Sequence, residues 1–201
     1  MSQQNNLHED ENILDMIARG VRGDQSGYSD LYRTYVNGMY RLCCNLLFNE
    51  QDAEDVTQEA FVYAFKNLHR YDSRRAAFKT WLYTIAVSRC RNMYRRKRPQ
   101  LLNLANMFHA NLTAPMAERP ESVMAERAAQ DALVKALGNL SPQLREAVVL
   151  RYGHGLTYRE IAEVMECPQK TAESRVRLAH GRLRGVLSIH GQGLLQELLS
   201  I

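Results

Sequence analysis

LTYREIAEVMECPQKTAESRVRLAHGRLRG, residues 156–185, is the stretch that decides the fold of this 201-residue chain. Thr157-Tyr158-Arg159-Glu160 has the form of a capping box, in which the hydroxyl and the carboxylate each satisfy one orphan amide at a helix start. It predicts a short helix with Ile161, Ala162 and Met165 inward, ended by the turn Glu166-Cys167-Pro168. A longer helix follows, from Gln169 to about Leu187. On it Ala172, Val176, Ala179 and Leu183 recur at i, i+4, i+7 and i+11, the spacing of one buried stripe. The opposite side presents Lys170, Glu173, Ser174 and Arg177, with Thr171, Arg175 and Arg182 on a flank. Two such helices joined by a short turn, with the small Ala162 where the second crosses the first, form a helix-turn-helix. Polar side chains at the start of the second helix suit base edges, and cations on its flank suit phosphates. A helical hairpin with a solvated basic face is the alternative that these residues alone leave open.

Reading outward from this stretch, Ser141-Pro142 pairs a capping residue with a first-turn proline and opens a helix carrying Leu144, Ala147, Val148 and Tyr152, stopped by Gly153 and Gly155. Further upstream, residues 52–68 place Ala53, Val56, Ala60, Phe61, Ala64, Phe65 and Leu68 on one broad helical face. Asp52, Asp55 and Glu59 line the other side as an acidic stripe pointing away from the core. The next helix is predicted to begin near Thr80 and end before Pro99, with Leu82, Ile85, Ala86 and Met93 inward. Its polar stripe, Thr84, Ser88, Arg91 and Arg95, runs into Arg96, Lys97 and Arg98, where cations also complement the helix dipole. Helical periodicity dominates and strand-like alternation is absent, so the expected fold class is all-α. Prolines 99, 115 and 120 mark a linker between two small helical domains, each large enough for a bundle of three or four helices.

Net charge is only +4, from 26 Lys and Arg against 22 Asp and Glu, but the charge is segregated. Residues 50–65 hold five acids and no base, whereas residues 69–98 hold ten bases and one acid, Asp72. Two binding faces are implied, one for a basic partner and one for a polyanion. No apolar run approaches the roughly 20 residues a membrane span needs, and the amino-terminal stretch is polar and acidic, so neither membrane insertion nor export is expected. Cys43, Cys44, Cys90 and Cys167 show no CxxC and no paired metal spacing, which argues against structural zinc or a disulfide framework and fits a cytoplasmic location. Adjacent Cys43 and Cys44, beside Leu42, Leu46 and Leu47, read as small core hydrophobes, with a redox-sensing role as the alternative.

The quoted stretch resembles the promoter-reading helix-turn-helix of bacterial sigma factors, and SPQLREAVVLRYGHGLTYREIA resembles the segment leading into it. NEQDAEDVTQEAFVYAFKNL followed by FKTWLYTIAVSRCRNMYRRKR is similar to the other conserved sigma domain. Order and length match the extracytoplasmic-function (ECF) group, which keeps only domains two and four. The resemblance implies domain two over 10–98, a flexible linker over 99–125, domain four over 126–188 and a tail over 189–201.

It also implies roles for particular residues. Asp52, Asp55, Gln58 and Glu59 match the helix that docks on the clamp helices of the polymerase β′ subunit, with the β subunit as a further contact of the core enzyme. The segment Tyr71 to Lys79, including Arg74 and Arg75, matches the loop that captures an unstacked base of the minus-ten element. Trp81 opens the helix after it, and Arg91, Arg95 and Arg96 lie along the same DNA. Lys170, Thr171, Glu173, Ser174, Arg175 and Arg177 match the minus-thirty-five contacts. Lys170, Ala172 and Glu173 depart from the family's usual glycine, valine and basic residue, so promoter sequence is not inherited from relatives. The implied protein is a non-catalytic transcription factor without cofactor or metal, whose partners are core RNA polymerase, promoter DNA and an anti-sigma protein.

Two other classes bear on the same residues. A nuclease would use Asp52, Asp55 and Glu59 to hold Mg²⁺ beside the basic helix, but one helical stripe lacks convergent ligands from a second element. A stand-alone operator-binding regulator would need a dimer for two half-sites, and it would leave the acidic helix unexplained. The last residues, GQGLLQELLSI, put Leu194, Leu195 and Leu198 on one face, suited to capping the C-terminal domain or docking a regulator.

Overall fold

A computed structural model describes the backbone of residues 2–104 and 132–190, and the side chains of 11–96 and 132–185. Eight helices run through the described residues: α1 Ser2–Val21, α2 Gln25–Leu47, α3 Glu50–Lys66, α4 Phe78–Leu104, α5 over 132–138, α6 Pro142–Val148, α7 Tyr158–Met165 and α8 Gln169–His190. No strand occurs among the described residues, so the all-α expectation holds. Linker residues 105–125 and tail residues 191–201 lie outside the described residues.

Helices α1 to α4 make an antiparallel bundle in which α2 is the central element, packed on α1, α3 and α4. Their starts follow the capping rules: the Asp24 carboxylate accepts from the Ser26 amide at 2.8 Å, and the Asn49 side-chain oxygen accepts from the Asp52 amide at 2.8 Å. The turn from α2 to α3 puts Phe48 in the left-handed region, φ 52°. Leu31, Met39 and Leu42 of α2 meet Ala53, Ala60 and Ala64 of α3 and Leu82 and Ala86 of α4, all fully buried. The alanine-rich face of α3 lets the larger leucines and aromatics fill the space between helices. Tyr28 with Phe65, Tyr32 with Phe61 and Tyr35 with Phe78 pack as tilted ring pairs at centroid separations of 5.0, 4.8 and 5.3 Å.

Two boundaries differ from the sequence expectation. Helix α4 starts at Phe78 instead of near Thr80, and it continues through Pro99 to Leu104. Gln100, Leu101 and Leu102 are good helix formers, and the single amide lost at Pro99 is a local cost that does not end the helix.

In the C-terminal half the Thr157 capping box is complete: the Thr157 amide donates to Glu160 Oε2 at 2.8 Å, and the Glu160 amide donates to the Thr157 hydroxyl at 3.3 Å. Ile161, Ala162 and Met165 are buried, and Glu166 closes α7 in the left-handed region, φ 52°. Ala172, Val176, Ala179 and Leu183 are all buried, as their spacing requires, because α8 packs on α6 and α7. Ser141 stands at the start of α6 but its side chain makes no capping hydrogen bond, and the helix passes into a wider π-helical turn, Val149–Gly153. The two halves are not separate in space. α4 packs on α7, and the C-terminal half of α2 packs on α6 and the 149–153 turn, so the apolar cores merge.

Candidate functional site

The sequence-predicted residues fall on three surfaces. On α3, Asp55, Gln58 and Glu59 are exposed together. Asp52, expected in the same exposed stripe, is not: it is only 9% exposed. It occupies the first turn, where its amide is tied to Asn49, and its burial takes it off the open face. The three carboxylates of the nuclease reading therefore do not share one site, and no group of three metal-ligating side chains occurs among the described residues. Sequence reasoning missed Val62 and Tyr63. Both are about half exposed and continue the acidic face one turn further, lining with Asp55, Gln58, Glu59, Lys66 and Arg89 a cleft of about 450 Å³. Their spacing from Asp55 and Glu59 was the available signal, since an apolar residue seven positions from an exposed acid shares its face. Arg89 of α4 reaches across to Glu59 at 3.1 Å and lies over the Tyr63 ring at 4.8 Å.

The second surface is the 71–79 loop with α4. Tyr71, Phe78 and Trp81 form one aromatic cluster, with centroids 5.2 to 5.5 Å apart, and the Tyr71 hydroxyl donates to the Ala76 carbonyl at 3.0 Å, folding the loop back on itself. Phe78 is buried and Trp81 half-buried, so both act first as the floor of the loop. Arg74 grips Asp72 through two nitrogens at 3.0 Å each, which lowers the carboxyl pKa and raises that of the guanidinium. Arg75, Arg95 and Arg96 are exposed, with Arg95 hydrogen-bonded to Asn92. Two cations of this set are taken up by the C-terminal half. Lys79 donates to the His154 carbonyl at 2.9 Å, and its ammonium pKa is pushed down by burial. Arg91 holds both oxygens of Glu146, at 3.0 and 2.6 Å.

The third surface is α8. Lys170, Glu173 and Arg177 are exposed, while Thr171, Ser174 and Arg175 are half-buried beside them. Because the stripe on the other side of α8 is locked into the core, these side chains present a rigid, mixed-charge edge suited to a groove.

The Sigma-70 region 2 family model matches residues 31–100 and the Sigma-70, region 4 model matches residues 130–183, so the acidic helix and the loop lie in the first and the helix-turn-helix in the second. The RNA polymerase sigma-H factor of Pseudomonas aeruginosa is 32% identical over 188 residues, covering 90% of this chain and 95% of that protein. The ECF RNA polymerase sigma-E factor of Escherichia coli K12 is 30% identical, covering 80% of this chain and 86% of that protein. This chain belongs to the ECF group of RNA polymerase sigma factors. Among solved structures, CnrH in complex with the cytosolic domain of CnrY is similar at 25% identity and a TM-score of 0.62, covering 87% of this chain and 96% of that one.

As a sigma factor the chain is a transcription factor that serves RNA polymerase and promoter DNA. None of the described helices is long and apolar enough to cross a membrane. All four cysteines are free, with Cys43 and Cys90 buried in the first bundle and Cys44 half-buried.

Proposed function

We propose that this sigma factor docks on the β′ clamp helices of core polymerase through Asp55, Gln58 and Glu59, with Val62 and Tyr63 as the apolar part of the same face and the β subunit as a further contact. The 71–79 loop with Arg74, Arg75 and Lys79, together with Arg91, Arg95 and Arg96 of α4, reads and opens the minus-ten element. Lys170, Thr171, Glu173, Ser174, Arg175 and Arg177 read the minus-thirty-five element. The observation that carries this reading is the burial of the Ala172, Val176, Ala179 and Leu183 stripe, which leaves Lys170, Glu173 and Arg177 facing outward at the start of α8. Glu173 suits a cytosine amino group and Arg177 a guanine edge or a phosphate. The protein works in the cytoplasm without catalysis of its own. An anti-sigma protein holds it inactive, a reading supported by the likeness to CnrH, which was solved with the cytosolic domain of CnrY.

In vitro transcription with purified core polymerase on pooled genomic fragments tests the whole assignment. Transcripts that share a pair of upstream elements, vanish with Asp55→Arg and shift in promoter choice with Arg177→Ala are the expected result. Sequence-specific duplex binding without any protein-dependent transcript would overturn it. Asp52→Asn separates docking from structure: it is expected to lower thermal stability while leaving start-site choice unchanged. The tagged protein from unstressed cells should carry a small inhibitory partner, and its consistent absence would remove the anti-sigma element.

A further inference from the structure

The adjacent cysteines of α2 part company in the fold. Neighbouring residues of a helix do not face each other, so Cys43 and Cys44 meet different surroundings. Cys44 is half-buried and hydrogen-bonded to Tyr40 of its own helix. Cys43 is fully buried and turns inward to Cys90 of α4, 47 positions along the chain and itself only 3% exposed. The two thiols are hydrogen-bonded to each other, and Thr57 of α3 meets the Cys43 sulfur as well. Three helices of the first bundle therefore converge on one pair of thiols that neither polymerase docking nor promoter reading uses.

The pair is polarised. The hydrogen bond from Cys90 lowers the Cys43 pKa against the opposing effect of burial, and Thr57 lowers it further. The same bond, and burial after it, push the Cys90 thiol well up. Cys43 is thus the sulfur that carries negative charge first, while Cys90 keeps its proton. The pair is also within reach of small solutes. Cys90 lines, with Leu46, Leu47, Ser88 and Tyr94, a cavity of about 560 Å³ beside α4. A molecule little larger than water fits there without any helix moving.

We propose that Cys43 and Cys90 are an oxidisable dithiol, which hydrogen peroxide converts to a disulfide that staples α2 to α4 and which a dithiol reductant reopens. The Cys43 thiolate attacks one peroxide oxygen, the O–O bond breaks, and the departing hydroxide takes up a proton as water. The Cys90 sulfur then attacks the sulfur of the Cys43 sulfenic acid, the S–O bond breaks, and the hydroxide that leaves takes the Cys90 proton. Two thiols and one peroxide become one disulfide and two waters, with two electrons passing from the sulfurs to the peroxide. Because the two side chains already touch in the fold, the bond mainly restricts the unfolded chain, across a long loop. The bundle that carries α3 and α4 therefore resists unfolding better under oxidising conditions than under reducing ones.

The test uses the full-length protein, reduced and then treated with hydrogen peroxide in the folded state. Remaining thiols are alkylated, and mass spectrometry of a non-reducing digest is expected to find the peptides of Cys43 and Cys90 linked, and separate again after dithiothreitol. The urea midpoint of the oxidised protein should rise by at least about 1 M and return on reduction. Cys90→Ala should abolish both the link and the rise and leave a Cys43 sulfenic acid that dimedone traps, whereas Cys44→Ser should keep both. Should Cys90→Ala fail to fold, the digest and the midpoint of the unaltered chain decide the matter by themselves. A folded protein whose peroxide products join Cys44 to another chain, or join nothing, would overturn the dithiol. A link that forms only in urea would overturn access through the cavity, and a link that leaves the midpoint unchanged or lower would overturn the staple.

Discussion

Arg145 is buried at 7% exposure and makes no ion pair within 4.0 Å among the described residues, yet all three of its guanidinium nitrogens are hydrogen-bonded. Nε donates to the Leu137 carbonyl at 3.1 Å, Nη2 to those of Gly138 and Leu140 at 2.8 and 3.3 Å, and Nη1 to that of Leu46 at 3.0 Å. The plane also lies over the Phe48 ring at 4.7 Å. These carbonyls belong to the ends of α5 and α2 or lie just beyond them, where helices leave acceptors without partners and where positive charge is favoured. One side chain therefore finishes two helices from opposite halves of the molecule. Burial pushes its pKa down, but a guanidinium stays protonated. Replacing it by methionine keeps much of the volume and removes all four hydrogen bonds. Each charge-assisted bond has a net value of about 1.5–3 kcal/mol, and the desolvation of a buried guanidinium offsets several kcal/mol of the sum, so a net loss of about 3 kcal/mol is expected. With a urea dependence of about 2 kcal/mol per molar, the unfolding midpoint should fall by about 1.5 M. Arg145→Lys should recover less than half of that, because a single ammonium cannot reach carbonyls spread around a planar fork. A methionine variant that unfolds within about 0.3 M of the original chain would refute the capping role, and full rescue by lysine would refute the fork geometry.

Acidification should loosen the contact of His154 with α4. His154 is buried beside Lys79 and Arg41, and burial first, then those two charges, hold its pKa near 4 against an ordinary 6.5. A base held neutral in the fold costs stability once the unfolded chain can take up its proton, so the fold keeps its full stability above about pH 6.5 and loses about 2 kcal/mol by pH 5. Denaturant unfolding should show a stability loss between pH 7.5 and 5 that is smaller in His154→Gln, and an identical response in that variant would refute it. Gly27 lies where α1 and α2 cross, and a Cβ there would meet the Gly20 nitrogen and the Met16 carbonyl oxygen at 2.6 Å each. Backbone cannot yield as a flexible side chain does, so Gly27→Ala should cost about 2 kcal/mol by denaturant unfolding, and a neutral result would show that the crossing is loose. Thr157→Ala removes half of the capping box on α7 and should cost about 1 kcal/mol, while Thr157→Ser should cost less than half as much.

Helix periodicity and capping are local properties, and they made α3, α7 and α8 legible from the residues alone. The stripe Ala172, Val176, Ala179 and Leu183 could only face a core, and the Thr157-to-Glu160 box could only start a helix, whatever lay around them. The basic loop and the acidic helix were readable for the same reason, since charge along one face needs no knowledge of the rest of the fold. Solvent access was less legible. Asp52 has the spacing of an exposed stripe but is buried in the first turn of α3, and Val62 and Tyr63 have the chemistry of a core but face outward.

Pairing across the molecule was not legible at all. Arg91 and Glu146 are 55 positions apart, Lys79 and His154 are 75 apart, and Arg145 meets a carbonyl 99 positions away. Spacing rules reach four or so residues along a helix, whereas these partners meet because α4 packs on α7 and α2 packs on α6. Which helices each half builds is thus written in short-range pattern, and which charges face DNA or each other depends on how the halves dock, a balance of buried surface and polar contacts that no single segment contains.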